Sequence, residues 1–214
     1  MRPRGLAWHA AVGLLLMVVM ARPLMALDFS DIAREGELRF LTVNPDPEAY
    51  RYEARVSLTR QSLETGLVES ATCHRRLDPI RKVVIAFNPD RLQTLSVAEF
   101  SGIGDVQIEG HLITLTAVER GASICITVSS HALDLSESGV WRLHVGPLMR
   151  RYLDGYLPMA ARLTVSWPQG MLAVSSVAPV SQPGFMVAVH PDGAQIDTVF
   201  AGRFTGHLEL SRPQ

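Results

Sequence analysis

Reactive chemistry in this chain has to come from few residues, and their spacing points away from catalysis. There are two cysteines, Cys73 and Cys125, and six histidines beyond residue 26: His74, His111, His131, His144, His190 and His207. No histidine stands in an H-E-x-x-H or H-x-H arrangement or at a Cys–His zinc spacing. Cys73-His74 lacks the upstream cysteine that c-type haem attachment needs. Met186 and His190 fall on one face of a predicted strand and are ligand types that suit copper. Four residues of strand span about 13 Å, so a copper site would need ligands from separate strands. There is no G-x-S-x-G elbow and no P-loop, and Gly102, Gly104 and Gly110 do not make a dinucleotide fingerprint. Those glycines read as turn or bulge positions. The acids Glu69, Glu99, Asp105 and Glu109 are scattered, with nothing to pair them. No catalytic residue, metal site or cofactor is expected from motif.

The cysteines instead bracket a run of short β-like segments between Leu67 and His131. Apolar, β-branched stretches alternate there with Pro, Gly, Asn and Asp clusters, as in consecutive strands joined by tight turns. A Cys73–Cys125 disulfide is expected to tie the first strand of this block to the last. It closes a loop of about fifty residues, worth roughly 4 kcal/mol in the chain-entropy model. In ASICITV the apolar face is Ala122, Ile124, Ile126 and Val128. Cys125 therefore points to the opposite face with Ser123 and Thr127, which places the bridge outside the main core.

Two groups of side chains are candidates for recognition. His74, Arg75, Arg76, Arg81 and Lys82 cluster around an expected turn at Asp78-Pro79, a set of fixed positive charges suited to phosphate or carboxylate groups on a partner. The same charges also suit a solvated strand edge protected from aggregation. Tyr152 and Tyr156 flank Asp154-Gly155, a strong hairpin signal. They are placed to stack on a sugar, to pack on a partner or to fill the core.

The N-terminus sets the compartment. Arg2 and Arg4 precede an apolar run from Leu6 to Met20, with Pro23 and the small residues Ala21 and Ala26 following, the layout of a secretory signal peptide. Fifteen residues of helix reach about 22 Å, short of a bilayer's hydrocarbon core of roughly 30 Å. A Sec-type signal over 1–26 with cleavage after Ala26 is expected, and Ala21 is the alternative. Removing it leaves 188 residues with 17 basic and 21 acidic side chains, net −4. That balance argues against nonspecific nucleic-acid binding and against stable association with anionic membranes. Of the basic residues only Lys82 is a lysine, and asparagine occurs only at Asn44 and Asn88. This usage fits a GC-rich bacterial coding bias.

These residues must be positioned by strands. From Tyr50 the alternation is strict: Tyr50, Tyr52, Ala54, Val56 and Leu58 face one way, and charged or polar residues face the other. Trp141, Leu143 and Val145, and later Ala161, Leu163, Val165 and Trp167, repeat the pattern. About twelve such segments at short, regular spacing predict an all-β chain of antiparallel sandwich type. After the signal, a disulfide-tied β-sandwich unit is expected over 27–135. Residues 136–214 form either a smaller β domain or the second half of the same sandwich. The function expected is that of an exported, noncatalytic binding module of the bacterial periplasm, recognising a protein or envelope-glycan partner. The alternative is a periplasmic enzyme or copper-handling protein with a site assembled across strands.

Overall fold

A computed structural model describes residues 31–153 and 155–213. The expected signal segment 1–26 and Asp154 of the expected hairpin lie outside them. In chain order the elements are β1 (Leu38–Phe40), β2 (Arg51–Ser57), α1 (Arg60–Thr65), β3 (Leu67–Arg75), β4 (Lys82–Ala86), β5 (Leu92–Glu109), β6 (Leu112–His131) and β7 (Leu133–Leu135). There follow β8 (Trp141–Leu148), β9 (Arg150–Tyr152), β10 (Gly155–Leu157), β11 (Met159–Ser166), β12 (Ala173–Ala178), β13 (Phe185–His190), β14 (Gly193–Gly202) and β15 (Phe204–Ser211).

The alternation that begins at Tyr50 builds β2. Its inward face carries buried Ala54 and Val56, and its outward face carries Arg51, Arg55 and Ser57. β2 lies antiparallel to β3 and parallel to β11. The sheets are antiparallel as expected, apart from this one parallel pairing among the described strands. A period-two pattern is identical for both pairings, so only the chain's long-range path decides between them. After β2 the chain forms the short helix α1. Thr59 caps it, its side chain accepting from Ser62 N while the Ser62 hydroxyl accepts from Thr59 N. This is the reciprocal capping-box arrangement. Gly66 ends it at φ 73°, where an added Cβ would lie 2.6 Å from the Leu133 carbonyl oxygen.

The large sheet has nine strands in the order β1-β14-β11-β2-β3-β6-β4, with β13 beside β14 and β5 beside β6. Strands from 27–135 and from 136–214 therefore share one sheet. A second sheet runs β12-β15-β8-β7, and β9 and β10 form a separate hairpin. The two sheets pack through a common core. Ala54, Val56, Leu163, Val165, Ile196 and Phe200 come from the large sheet, and Trp141, Leu143, Phe204, Leu208 and Leu210 from the small one. Phe185, Phe200 and Phe204 meet at centroid separations of 5.6 and 5.4 Å. These tilted contacts add to the burial of three fully enclosed rings.

A second core lies within the long β5–β6 arm. β6 contributes Ile113 and Leu115 to this core from its first part, then Val118, Ala122, Ile124, Ile126 and Val128. Their parity changes from odd to even across Ala117, which has φ 50°. The β5–β6 register shifts nearby, between Ser101 and Ile103. A one-residue change of phase moves every following side chain to the other face, and here it keeps the apolar set inside as the arm bends. Within the run expected to be short segments between Leu67 and His131, residues 92–109 form one long strand, and Gly102 sits at its irregularity.

Cys73 and Cys125 are bonded and lie directly opposite each other on the neighbouring strands β3 and β6, with Cα atoms 4.1 Å apart. The bridge thus staples adjacent strands of one sheet. It occupies the face opposite Ile124 and Ile126, as the alternation in ASICITV requires.

Candidate functional site

Between the inner face of the large sheet, the small sheet and β4 lies a cavity of about 740 Å³. The inward side chains of β3 make one wall. Val68, Ser70, Thr72 and His74 all line it, because residues two apart on a strand share a face. Ser70 sits in register between Val56 of β2 and Val128 of β6. Leu143 and Val145 close the cavity from the small sheet. Exposed Val84, Met149 and Tyr152 stand at its rim. Most of the lining is apolar. This size and character fall within the ordinary range of small-molecule sites.

The polar end is built around His74, which is only 7% exposed. The Tyr50 hydroxyl lies 2.6 Å from His74 Nδ1, and the Tyr52 ring meets the imidazole edge to face at 5.3 Å. Burial pushes the His74 pKa down to about 4, so the ring is neutral near pH 7. Burial likewise raises both tyrosine hydroxyls above their ordinary range, which keeps them protonated. The buried Nε2 of His74 and Oγ1 of Thr72 have no hydrogen-bond partner. Beside Tyr50, the Arg150 guanidinium holds Asp78 through Nη2 at 2.6 and 2.8 Å and Nε at 3.1 Å. Its Nη1 donates to the Pro158 carbonyl at 2.9 Å. The guanidinium carbon stands 5.9 Å from the Tyr50 ring centroid. Arg150 is therefore fully engaged, and its charge is met by Asp78.

The expected basic cluster does not stay together. His74 turns inward. Arg75, at the end of β3, points outward and pairs with Glu53 at 3.1 Å. Arg76, with φ 57°, pairs with Glu48 at 3.1 Å and donates to the Pro47 carbonyl. Arg81 and Lys82 are exposed, with no ion pair among the described residues. The physical reason for the split is strand parity, since adjacent residues of β3 must face opposite ways. The two expected aromatics also separate. Tyr152 is 50% exposed at the cavity rim, whereas Tyr156 is buried against Ala33 and Ala201, with Arg151 over its ring at 6.0 Å. Met186 and His190 are exposed on β13, at the rim of the large sheet. Among the described residues no three His, Cys, Asp or Glu side chains converge to hold a metal.

Sequence reasoning missed Tyr50, Tyr52, Thr72, Asp78 and Arg150 as a set. One signal was available. Once the cysteines pair on the outer face, Thr72 and His74 must point inward.

A nucleophile activated by a histidine must lie within hydrogen-bond reach of it. Here Nδ1 is taken by a protonated phenol, and neither Nε2 nor Thr72 Oγ1 is bonded to the other. The arrangement can hold a ligand's polar group at one end of an apolar chamber.

No protein family model matches this sequence, and no curated protein matches it. Among solved structures, a point mutant of the M1 zinc metallopeptidase from Deinococcus radiodurans bound to a Tyr-Ser-Ala substrate is similar at TM-score 0.39 and 10% identity. That match covers 83% of this chain and 43% of the other. The M1 zinc metallopeptidase from the same organism is similar at TM-score 0.38 and 11% identity, with 75% and 41% covered. The chain spans less than half the length of these structures, and a likeness at this level carries no argument about activity.

Proposed function

We propose that this chain is an exported, noncatalytic binding module of the bacterial periplasm, and that it binds a largely apolar, envelope-associated molecule in the cavity between its sheets. The observation that carries the reading is the cavity itself: about 740 Å³, apolar along most of its walls, with a polar end where His74 and Tyr50 stand beside the paired Arg150 and Asp78. An apolar molecule gains by leaving water for such a chamber, at about 25 cal/mol per Å² of apolar surface buried. The Cys73–Cys125 bridge supports an oxidising, extracytoplasmic compartment. The charge and hydropathy layout of residues 1–26 supports Sec-type export into the periplasm. The pairing of His74 with Tyr50 favours binding over the enzyme reading, because it leaves no activated nucleophile at the polar end.

The test is to purify the native protein from its own envelope without detergent, extract it with organic solvent and analyse the extract by mass spectrometry. A near-stoichiometric apolar compound is expected. It should be missing from a Ser70→Phe variant, whose new ring projects into the cavity between Val56 and Val128. Equal extracts from both proteins would contradict the proposal.

A further inference from the structure

We infer that two copies of this chain associate edge to edge through β13, antiparallel and about a twofold axis at Ala188, so that the large sheet runs on from one copy into the other. No residue of β13 lines the cavity, so this surface is separate from the binding reading above.

The edge is open and unguarded. β13 pairs only with β14, and its other side meets no strand among the described residues. Exposed strand edges invite pairing with another chain, and proteins blunt them with charge, proline, bulges or short length. The other edges here are blunted in these ways. β5 is broken by three register shifts and carries exposed Glu99, Asp105 and Glu109. β4 opens on Lys82, β12 is irregular between Val174 and Ser176, and β1 and β7 have three residues each. β13 has six residues, no register shift and no Asp, Glu, Lys or Arg. Met186 and Val189 on it are 59% and 53% exposed.

The backbone selects a second copy as the occupant. His190 pairs with Gly193 across a two-residue turn, which makes them a hydrogen-bonded pair. Bonding alternates from there. Met186, Ala188 and His190 bond to β14, while Phe185, Val187 and Val189 aim their N–H and C=O groups away from it. Phe185 uses both groups on Gln182, at 2.9 and 2.8 Å. Pro191, just past the strand, has no N–H. Val187 and Val189 remain, with two donors and two acceptors. A twofold axis through Ala188 sets Val187 opposite the partner's Val189, and Val189 opposite the partner's Val187. Every one of these groups is then bonded across the interface. Sliding the register by two residues either way sets a valine against the engaged Phe185 or against Pro191. The side chains agree, because Val187 and Val189 share the face of buried Phe185. The partner's Val187 therefore covers the exposed Val189, and no two charges face each other. So small a contact predicts weak, reversible association.

The experiment is sedimentation equilibrium of the native protein over a concentration series, where the wild type should pass from monomer to dimer. Val189→Pro should weaken the dimer at least about tenfold. Its lost N–H points away from β14, a position an edge strand tolerates. Ala188→Lys, which sets like charges together on the axis without altering the backbone, should do the same. Circular dichroism checks that each variant folds. The register is read by cysteine cross-linking. Ala188→Cys should form a disulfide-linked dimer under mild oxidation, since facing residues of a non-hydrogen-bonded pair have Cα atoms about 4.5 Å apart. Met186→Cys should not, because the two copies of residue 186 lie about 13 Å apart along the strands. A wild type still monomeric at about 1 mM would overturn the inference and leave the edge to an extended segment of another protein. A dimer unchanged in both Val189→Pro and Ala188→Lys, or cross-linking at 186 and not at 188, would overturn it as well.

Discussion

The Tyr50 hydroxyl and His74 Nδ1 stand 2.6 Å apart inside the protein, a phenol and an imidazole held neutral by the same burial. The pair joins the approach to β2 with the end of β3 and forms the polar end of the cavity.

Because burial lowers the His74 pKa from 6.5 to about 4, folding depends on its protonation state. Between those values the unfolded chain binds the proton and the folded chain does not. The stability associated with neutral His74 is therefore complete above about pH 6.5, falls as pH drops toward 4, and changes no further below that. The full change is about 3 kcal/mol. Chemical denaturation of the wild type across this range should show the decline, and His74→Phe should flatten it. A wild-type curve that is level from pH 7 to 4 would contradict the burial of a neutral imidazole.

Arg150 ties the β9–β10 hairpin to the segment after β3 by gripping Asp78, and its side chain is largely enclosed. Asp78→Asn removes the charge that neutralises it. A loss of about 2 kcal/mol is expected, within the range for hydrogen bonds to charged groups. Hydrogen exchange should rise first in β9 and β10. Unchanged stability with unchanged exchange would show that the pair is dispensable.

The disulfide closes a sequence separation of 52 residues, for which the chain-entropy model gives about 4 kcal/mol. A Cys73→Ser, Cys125→Ser double variant should lose stability of that order. The wild type unfolded without reductant should expose no reactive thiol, and stoichiometric labelling of both cysteines there would refute the bridge.

Arg75 and Arg76 face Glu53 and Glu48, so replacing both with Glu sets like charges against each other. Exposed pairs are worth up to about 1 kcal/mol, so a small drop in Tm, larger at low salt, is expected. Arg81→Glu with Lys82→Glu should leave Tm unchanged. If the second pair of changes destabilises more than the first, the ion pairs drawn here are not the ones that matter.

Much of the sheet was legible because one-sided burial enforces period two. Ala54, Val56 and Leu58, Leu163 and Val165, and Ile124 and Ile126 all face inward as their alternation requires. The cysteine pairing was legible from composition, but its cross-strand register was not, since register depends on where distant strands meet. The β2–β11 pairing was hidden for the same reason. His74 was obscured by its neighbours. Beside Arg75 and Arg76 it reads as part of a charged turn, and only its parity with Val68, Ser70 and Thr72 shows that it points inward. The cavity has no sequence signature. It arises where two sheets and β4 fail to close on one another, and the wall residues that leave the space, such as Ser70, are unremarkable in isolation.

The most direct measurement is a fluorescence titration of N-phenylnaphthylamine with the wild-type protein and with Ser70→Phe. Saturable binding at one site per chain is predicted for the wild type. In the folded variant, affinity should fall at least about tenfold, equivalent to 1.4 kcal/mol. No saturable binding by the wild type, or binding undiminished by a phenyl ring placed between Val56 and Val128, would contradict the account.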